Sequence, residues 1–393
     1  MRLGFLSVLT FAFLIVSCTS FSSEYISIEP LGVHPNGTVY IGMERCTSCH
    51  LEIVNAHKET AHWLTSSPLS PTAVAQFLSS DSNSFDLKDQ TRLSFFARSD
   101  SLFQDAYRPP YATPFFTKSL DIKIGSGTKI GNSFLSWEQS SLFQLQGSYY
   151  KPTMNWINSP GYPSFFQPLR PIFPRCLECH TTFSQSENWE SPIPTNRYNK
   201  DNIVFGIDCQ RCHGEVVDHV THHRNNPKDS IGRNIISYAD FNQQQRIDMC
   251  ALCHSGVGTQ VNQPAFSFTP GDTLQDFLLS QATEEPDVHS NQVALLTRSP
   301  CFINSKAMDC MSCHDPHSNE KNNRTHFNSR CVECHPTQQH KTVASENAWD
   351  CIACHMPERD SKLMKIQITP DSIQAVKVRT HRIGIYIEER LIE

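Results

Sequence analysis

The sequence has few charged residues and no excess of basic ones. Charged side chains make up 18% of the 393 residues, and 33 Lys and Arg against 39 Asp and Glu give a formal net charge of −6 at pH 7. A nucleic-acid-binding protein needs a basic surface to neutralise phosphates, so nucleic acid is excluded as the expected partner. The apolar content of 38% excludes a largely disordered chain.

Long apolar runs are also scarce, and the one that stands out is at the amino terminus. It covers residues 3–16 after Arg2 and is shorter than the ~20 residues that a membrane-spanning helix needs. Its length is typical of an export signal, and it stops just before Cys18. The run therefore predicts a lipoprotein signal peptide over residues 1–17, with lipidation of Cys18. An ordinary signal peptide that happens to contain a cysteine is the alternative.

The predicted lipid anchor also suggests a location. Thr19, and not Asp, follows Cys18. In bacteria that use Asp at this position for retention in the inner membrane, Thr favours the outer membrane. We expect an exported lipoprotein, anchored to a bacterial membrane through Cys18 and facing the periplasm or the cell surface.

Cysteine is abundant, and its spacing carries the strongest signal in the sequence. Fourteen of the 16 cysteines lie in seven copies of Cys-x-x-Cys-His, whereas chance from this composition gives roughly 0.03 copies. The pattern predicts covalent attachment of seven c-type haems. The attachment cysteines are Cys46 and Cys49, Cys176 and Cys179, Cys209 and Cys212, Cys250 and Cys253, Cys310 and Cys313, Cys331 and Cys334, and Cys351 and Cys354.

The chemistry of haem attachment requires this spacing. Two thiols one helical turn apart add to the two vinyl groups of one haem, and the following imidazole binds the iron from the proximal side. The predicted proximal ligands are His50, His180, His213, His254, His314, His335 and His355. Zinc ribbons, disulfides and iron–sulfur ligation are the alternatives, but none of them explains a histidine directly after every second cysteine.

Eleven further histidines could supply a second axial ligand to each iron. His317 follows His314 on a turn too tight to reach its own haem, so a neighbouring haem is the expected partner. Met356 directly follows His355 and is badly placed, so ligation by two histidines is the expectation. The candidate distal ligands are His62, His219, His223, His317, His326, His340 and His381.

One further cysteine, Cys301, belongs neither to a haem motif nor to the signal. It is interpreted as a buried free thiol, since free cysteine behaves as a small apolar residue. A role as a ligand or as a reactive group is the alternative.

The spacing of the motifs predicts a mostly α-helical and irregular multihaem cytochrome fold in which the haems form the core, with a β-containing insert between motifs 1 and 2. Residues 133–146 predict a β-hairpin with its turn at 138–140, and residues 273–280 predict a helix. A strand is expected near residues 383–387. The expected segments are 1–17 (signal), 18–39 (tether), 40–63 (first haem-binding segment), 64–175 (β-containing insert), 176–258 (motifs 2–4), 259–300 (haem-free connection), 301–360 (motifs 5–7) and 361–393 (a tail docking on the haems).

Several short motifs besides the haem motifs resemble those of the cytochrome c-554-like multihaem cytochromes. The resemblance covers about residues 40–385 and rests on Tyr40-Ile41-Gly42, Thr60-Ala61-His62, Ile124-Gly125-Ser126-Gly127, Ser148-Tyr149-Tyr150, Ser159-Pro160-Gly161-Tyr162, Gly206-Ile207-Asp208, Pro270-Gly271-Asp272 and His314-Asp315-Pro316-His317. It implies distal-ligand roles for His62, His219, His317 and His381. His57 stands where this family usually has tryptophan, which leaves it as a ligand or a packing residue.

Two functions are compatible with these patterns. Seven closely spaced haems favour a respiratory electron carrier with redox partner proteins, because a second histidine on each iron blocks substrate access. The alternative is an oxidoreductase acting on a small nitrogen or sulfur species at one five-coordinate haem. No Cys-x-x-Cys-Lys motif, which commonly marks the catalytic haem of multihaem nitrite reductases, occurs in the sequence.

Overall fold

The computed structural model describes residues 29–78, 82–125, 131–191, 193–256, 260–279, 285–335, 350–387 and 390–392. Helix accounts for 28% and strand for 29% of the structure, and the strands form several antiparallel sheets. The expectation of a mostly helical fold is therefore wrong. Most haem motifs contribute only one short helix, whereas the insert contains strands of alternating burial and the tail adds a long hairpin.

The strands are β1 (Gly32–Val33), β2 (Val39–Tyr40), β3 (Ser66–Pro68), β4 (Ser84–Asp86), β5 (Arg92–Arg98), β6 (Ser101–Tyr107), β7 (Phe116–Leu120), β8 (Ile122–Ile124), β9 (Asn132–Glu138), β10 (Ser141–Tyr150), β11 (Asn155–Asn158), β12 (Arg170–Pro171), β13 (Thr181–Ser186), β14 (Tyr198–Phe205), β15 (Gln260–Val261), β16 (Leu278–Leu279), β17 (Glu358–Thr369), β18 (Ser372–Arg379), β19 (Ile385–Ile387) and β20 (Arg390–Ile392).

The helices are α1 (Thr47–Lys58), α2 (Pro71–Val74), α3 (Pro174–Glu178), α4 (Cys209–His213), α5 (Val217–Asn225), α6 (Gln243–His254), α7 (Gln292–Leu296), α8 (Pro300–Asn304), α9 (Arg324–Val332) and α10 (Cys351–His355). Single 3₁₀ turns lie at Met43–Cys46, Trp63–Thr65, Ala75–Phe77, Tyr238–Asp240, Leu274–Asp276 and Cys310–Ser312.

The insert between motifs 1 and 2 forms two antiparallel sheets. A four-stranded sheet has the order β4-β5-β6-β7, and an eight-stranded sheet has the order β18-β17-β11-β10-β9-β8-β3, with β12 also pairing with β10. The predicted hairpin is confirmed as β9 and β10, whose register places Glu138 opposite Ser141. Gln139, in its turn, has a φ of 54°, which gives the tight reversal between the strands.

An aromatic core lies between the two sheets of the insert. The rings of Phe95 and Trp156 stack with centroids 3.5 Å apart, and the Trp156 indole donates a hydrogen bond to the carbonyl of Phe77. Gly147 is required beside them, because a Cβ there would lie 2.2 Å from the Phe95 ring. The insert therefore has a conventional apolar core of its own.

The carboxy-terminal hairpin of β17 and β18 extends the sheet of the insert. Asn158 on β11 pairs with Gln367 on β17, and the Asn158 amide donates to the Gln367 side-chain oxygen at 2.8 Å. The strand expected near residues 383–387 is confirmed as β19. The tail thus contacts the insert as well as the haem motifs.

The helix predicted over residues 273–280 is wrong. The segment forms the turn Leu274–Asp276 and then β16, which pairs with β15. The buried carboxylate of Asp248 accepts a hydrogen bond from the Leu274 backbone at 3.1 Å. This long-range contact accompanies a turn that local propensity does not predict.

Helices long and apolar enough to cross a membrane were not found in the described ranges. The predicted signal peptide and Cys18 lie outside the described residues.

Candidate haem-binding sites

Several motifs begin with an aspartate that caps the motif helix. Asp208, Asp309 and Asp350 directly precede the first cysteine of motifs 3, 5 and 7, and each carboxylate accepts a hydrogen bond from a backbone N–H in the first turn. The cap fixes the turn on which the two thiols and the histidine must lie. Sequence reasoning missed this role, although the recurring Asp-Cys-x-x-Cys-His pattern was a visible signal.

Four motif histidines face a second imidazole from a distant part of the chain. The pairs and their ring-centroid separations are His50 and His219 at 6.4 Å, His254 and His62 at 6.3 Å, His213 and His317 at 6.1 Å, and His314 and His381 at 6.3 Å. In each pair, the second residue is one of the candidate distal ligands. All four histidines that the family resemblance marks as distal candidates are therefore brought opposite a motif histidine.

The separation in these pairs fits two imidazoles on opposite sides of one metal ion. A histidine nitrogen binds a first-row metal at about 2.0–2.1 Å, and the ring centre lies roughly 1.1 Å beyond that nitrogen, so two ligand rings have centres about 6.3 Å apart. Direct ring packing without an intervening atom also occurs in the structure and is closer, as with His219 and His223 at 4.6 Å. The geometry of the four pairs therefore fits haem iron between them.

Hydrogen bonds at the second ring nitrogen orient several of these imidazoles. Nδ1 lies 2.9 Å from the Ile236 carbonyl in His213 and 2.7 Å from the Arg233 carbonyl in His219. Because a carbonyl can only accept, Nδ1 carries the proton and Nε2 presents its lone pair. This is the tautomer that binds a metal through Nε2.

Desolvation by the surrounding protein favours the neutral imidazole in one pair, although both residues retain an exposed surface. Desolvation lowers the pKa of His62 to about 4, and the same effect lowers the pKa of His254. A neutral imidazole is the form that binds a metal ion. The ring planes of this pair meet at 72°, whereas those of the other three pairs lie within 26° of parallel.

His180 of motif 2 has a different environment. Its Nδ1 lies 2.8 Å from the Thr65 hydroxyl, and burial lowers its pKa to about 4. Among the described residues, no imidazole faces His180 in the way that the four pairs face each other. Site 2, the haem site of motif 2, is thus distinct from sites 1, 3, 4 and 5, which are numbered in the same way.

Two of the other histidines use their ring nitrogens elsewhere. The Nε2 of His326 lies 2.9 Å from a Glu320 carboxylate oxygen and 3.2 Å from the Cys313 carbonyl. Both ring nitrogens of His57 face backbone carbonyls, those of Ile207 and Pro316. Neither imidazole faces a motif histidine within the described residues, and a ligand role for either stays a prediction.

The remaining candidates stay predictions. Nδ1 of His223 lies 3.1 Å from the Asp229 carbonyl, and its buried Nε2 has no hydrogen-bond partner in the part of the chain that the structure describes. His340 lies outside the described residues. Nδ1 of His355, in motif 7, lies 2.8 Å from the Gly384 carbonyl.

Thiols of different motifs meet in the structure. The thiols that lie beside each other are Cys46 and Cys209, Cys179 and Cys253, Cys250 and Cys310, and Cys331 and Cys351. These contacts join motif 1 to 3, 2 to 4, 4 to 5, and 6 to 7. Cys212 also lies close enough to Cys250, and Cys313 to Cys331, to interact electrostatically, which joins motif 3 to 4 and motif 5 to 6.

Cys301 lies within this group of thiols. It is partly buried, and burial raises its pKa above the usual thiol value. A raised pKa keeps the thiol protonated and lowers its reactivity. This environment agrees with the interpretation of Cys301 as a free thiol rather than as a reactive group.

A buried ionic cluster ties three motifs together. Glu178, inside motif 2, pairs with Arg175 at 2.7 Å, and Arg211 of motif 3 lies 3.7 Å from the same carboxylate. Arg175 also donates to the carbonyl of Leu252, inside motif 4. These contacts fix motifs 2, 3 and 4 against each other, because a buried charge must keep its partners.

Comparisons with known proteins agree with these sites. A family model described as "Cytochrome c554 and c-prime" matches residues 167–214, which contain motifs 2 and 3. The chain is similar to the crystal structure of the outer cell wall cytochrome OcwA, with a TM-score of 0.52 and 15% identity, over 88% of this chain and 79% of that chain. No curated protein matches the sequence. Together with the motifs, the family match supports a multihaem c-type cytochrome that carries covalent haem, and the similar structure shows a shared fold.

Proposed function

We propose that the protein is a seven-haem c-type cytochrome that transfers electrons along a chain of haems between redox partner proteins outside the cytoplasm. The carrying observation is that four motif histidines each face a second imidazole at the separation expected across one iron. The coarser assignment to electron-transferring multihaem cytochromes is supported by the family match and the shared fold.

The proposal assigns distal ligands to four sites. His219 completes site 1, His317 site 3, His62 site 4 and His381 site 5. Haem bound there supplies the Fe(II)/Fe(III) couple. Two imidazoles occupy both axial positions, so these sites exclude a substrate and serve as relays. For the sites without a described pair, His340 and His223 remain candidates.

The contacts between motifs give the order of the relay. Neighbouring thiols join sites 1, 3, 4, 5, 6 and 7 in that order, with site 2 attached at site 4. Because the thiols mark the edges at which the haems are attached, adjacent sites hold their haems in close proximity. Electrons therefore enter or leave at sites 1, 2 and 7, the ends of this branched chain.

The proposed location rests on the amino terminus. Residues 1–17 act as a lipoprotein signal, and the lipid on Cys18 anchors the exported protein to the membrane, with the outer membrane favoured. Covalent haem is consistent with an exported protein, and the protein of similar fold is described as an outer cell wall cytochrome. Lipid at one end leaves the haem-carrying body accessible to partner proteins.

A second function is favoured by one observation at site 2. His180 is half-buried, its Nδ1 contacts the Thr65 hydroxyl, and no described imidazole faces it. An iron held only by His180 would have an open axial position. Site 2 would then act on a small nitrogen or sulfur species and pass electrons to site 4.

Two measurements on the purified protein test these proposals. The intact mass should equal the chain from Cys18, with its lipid, plus seven haems, and a mass with five or fewer haems would contradict the proposed cytochrome. Low-temperature EPR of the oxidised protein should show mainly low-spin iron. A single high-spin component that binds cyanide or nitric oxide would support catalysis at site 2, and its absence would leave only the carrier function.

A further inference from the structure

The segment after motif 5 brings two carboxylates beside two ligand histidines. Residues 314–320 contain His314 of site 5 and His317 of site 3. The Glu320 side chain folds back so that Oε2 lies 3.2 Å from His314 Nδ1, while Oε1 accepts from the Asp315 backbone at 2.8 Å. Glu320 therefore holds the ring nitrogen of His314 that faces away from the iron.

A third contact holds the Glu320 carboxylate in place. Nε2 of His326 lies 2.9 Å from Glu320 Oε1, and the Glu320 side chain is only 12% exposed. His326 itself is set by the Asn323 side chain, which caps the start of α9 through the His326 backbone. A sheltered carboxylate with three partners keeps its position and is weakly screened by solvent.

The other motif histidines with a described Nδ1 partner face neutral groups. These partners are the Thr65 hydroxyl for His180, the Ile236 carbonyl for His213, the Gln292 amide for His254 and the Gly384 carbonyl for His355. Asp315 contacts Nδ1 of the distal candidate His317 at 3.2 Å, but its side chain is 50% exposed. Site 5 thus has the one sheltered carboxylate partner among the motif histidines in the described ranges.

We propose that Glu320 is a positioning residue that lowers the reduction potential of site 5. The inference rests on the proposed function, in which His314 binds haem iron. A carboxylate that accepts the Nδ1 proton makes the imidazole a more basic ligand, and a more basic ligand stabilises Fe(III) over Fe(II). The nearby negative charge acts in the same direction, because it favours the oxidised iron with its extra positive charge.

The position of site 5 gives this effect a consequence for the relay. Site 5 lies between sites 1–4 and sites 6 and 7, because Cys310 lies beside Cys250 of motif 4 and Cys313 is near enough to Cys331 of motif 6 to interact electrostatically. A lower potential makes the reduction of site 5 less favourable. Glu320 would therefore influence how readily electrons cross between the two groups of sites.

Redox titration of the full seven-haem protein tests the proposal through Glu320→Gln, which keeps the shape and removes the charge. We expect the equilibrium constant for reduction of one haem to rise at least tenfold, equivalent to about 59 mV for one electron. Gln292→Glu is the reciprocal variant, since it places a carboxylate beside His254 of site 4 and should lower a different potential. Glu320→Asp, which retains the charge, should shift the potential less than Glu320→Gln.

The outcomes separate this inference from the proposed function. If Glu320→Gln keeps seven haems with wild-type spin states and every reduction potential is unchanged, only the role of Glu320 is overturned. If Glu320→Gln loses haem, Gln292→Glu decides, and unchanged potentials in that variant overturn the inference. Glu320→Gln should change the reduction potential of one low-spin haem. The EPR signal of that same haem should be the low-spin signal that His381→Ala loses. A wild-type protein without haem at motif 5 contradicts the proposed function itself.

Discussion

The imidazoles of His314 and His381 face each other with ring centroids 6.3 Å apart and planes 26° from parallel. One belongs to motif 5, and the other lies between the hairpin of β17 and β18 and the strand β19. The buried Ser299 hydroxyl holds this part of the tail, because it donates to the His381 carbonyl and accepts from the Ile383 N–H at 2.8 Å. The tail is therefore fixed where its histidine meets a motif histidine.

Replacement of His381 tests this pair directly. In His381→Ala, we expect one haem to change from low to high spin and to bind cyanide or nitric oxide, because its iron loses one axial ligand. Quantitative EPR of the oxidised protein measures the change. His289→Ala, which removes a half-buried histidine that faces no motif histidine in the described structure, is the matched control. An unchanged spin count in His381→Ala would return His381 to a packing role.

The ring planes of His62 and His254 predict a distinct EPR signal. These planes meet at 72°, whereas those of the pairs at sites 1, 3 and 5 lie within 26° of parallel. Near-perpendicular imidazoles make the iron orbitals nearly degenerate and give a strongly anisotropic low-spin signal. His62→Ala should remove one such signal and leave the rhombic signals of the near-parallel pairs. Loss of a rhombic signal instead would contradict the assignment of His62 to site 4.

Asp208 should make the stability of the protein depend on pH. Burial raises the pKa of its carboxyl from 3.8 to about 6, and its buried Oδ2 has no hydrogen-bond partner among the described residues. Below pH 3.8 the group is protonated in both states. As the pH rises through 6, the unfolded chain loses this proton more easily, so the free energy of unfolding falls by about 3 kcal/mol.

Asp208→Asn keeps the oxygen that caps Gln210 and removes the ionisation. Its stability relative to the wild type should therefore increase between pH 4 and 7. Denaturant unfolding of the holoprotein, followed by far-ultraviolet circular dichroism at several pH values, measures the difference. If the free energies of unfolding of the two proteins changed with pH in parallel, the ionisation of Asp208 would not destabilise the folded protein as expected.

Anchoring should depend on Cys18. Cys18→Ala removes the only thiol at the end of the predicted signal, so we expect the protein to be released or mislocalised without loss of its haems. Fractionation of membranes washed with high salt and carbonate, together with haem staining, measures both properties. Retention of the variant in the washed membranes would favour a different means of attachment.

The carboxy-terminal region shows where sequence reasoning fell short. The strand β19 was predicted from alternating apolar residues, but the hairpin of β17 and β18 was not. Its burial pattern is irregular, and the register shifts between Asp360 and Lys365. β17 is set in part by its pairing with β11 through Asn158 and Gln367, a contact that no local pattern contains.

The sequence by itself determined the chemistry predicted for the motifs. Within five residues, two thiols are spaced to reach the edge of one haem, and the next residue is a histidine that can bind its iron. It also named His62, His219, His317 and His381 through their resemblance to known cytochromes. Only the tertiary structure decided that His219 faces His50 and that His381 faces His314. It also decided that the Glu320 carboxylate contacts Nδ1 of His314. Axial pairing joins residues far apart in the chain, so it depends on how strands, turns and tail pack, and residue spacing carries no record of that packing.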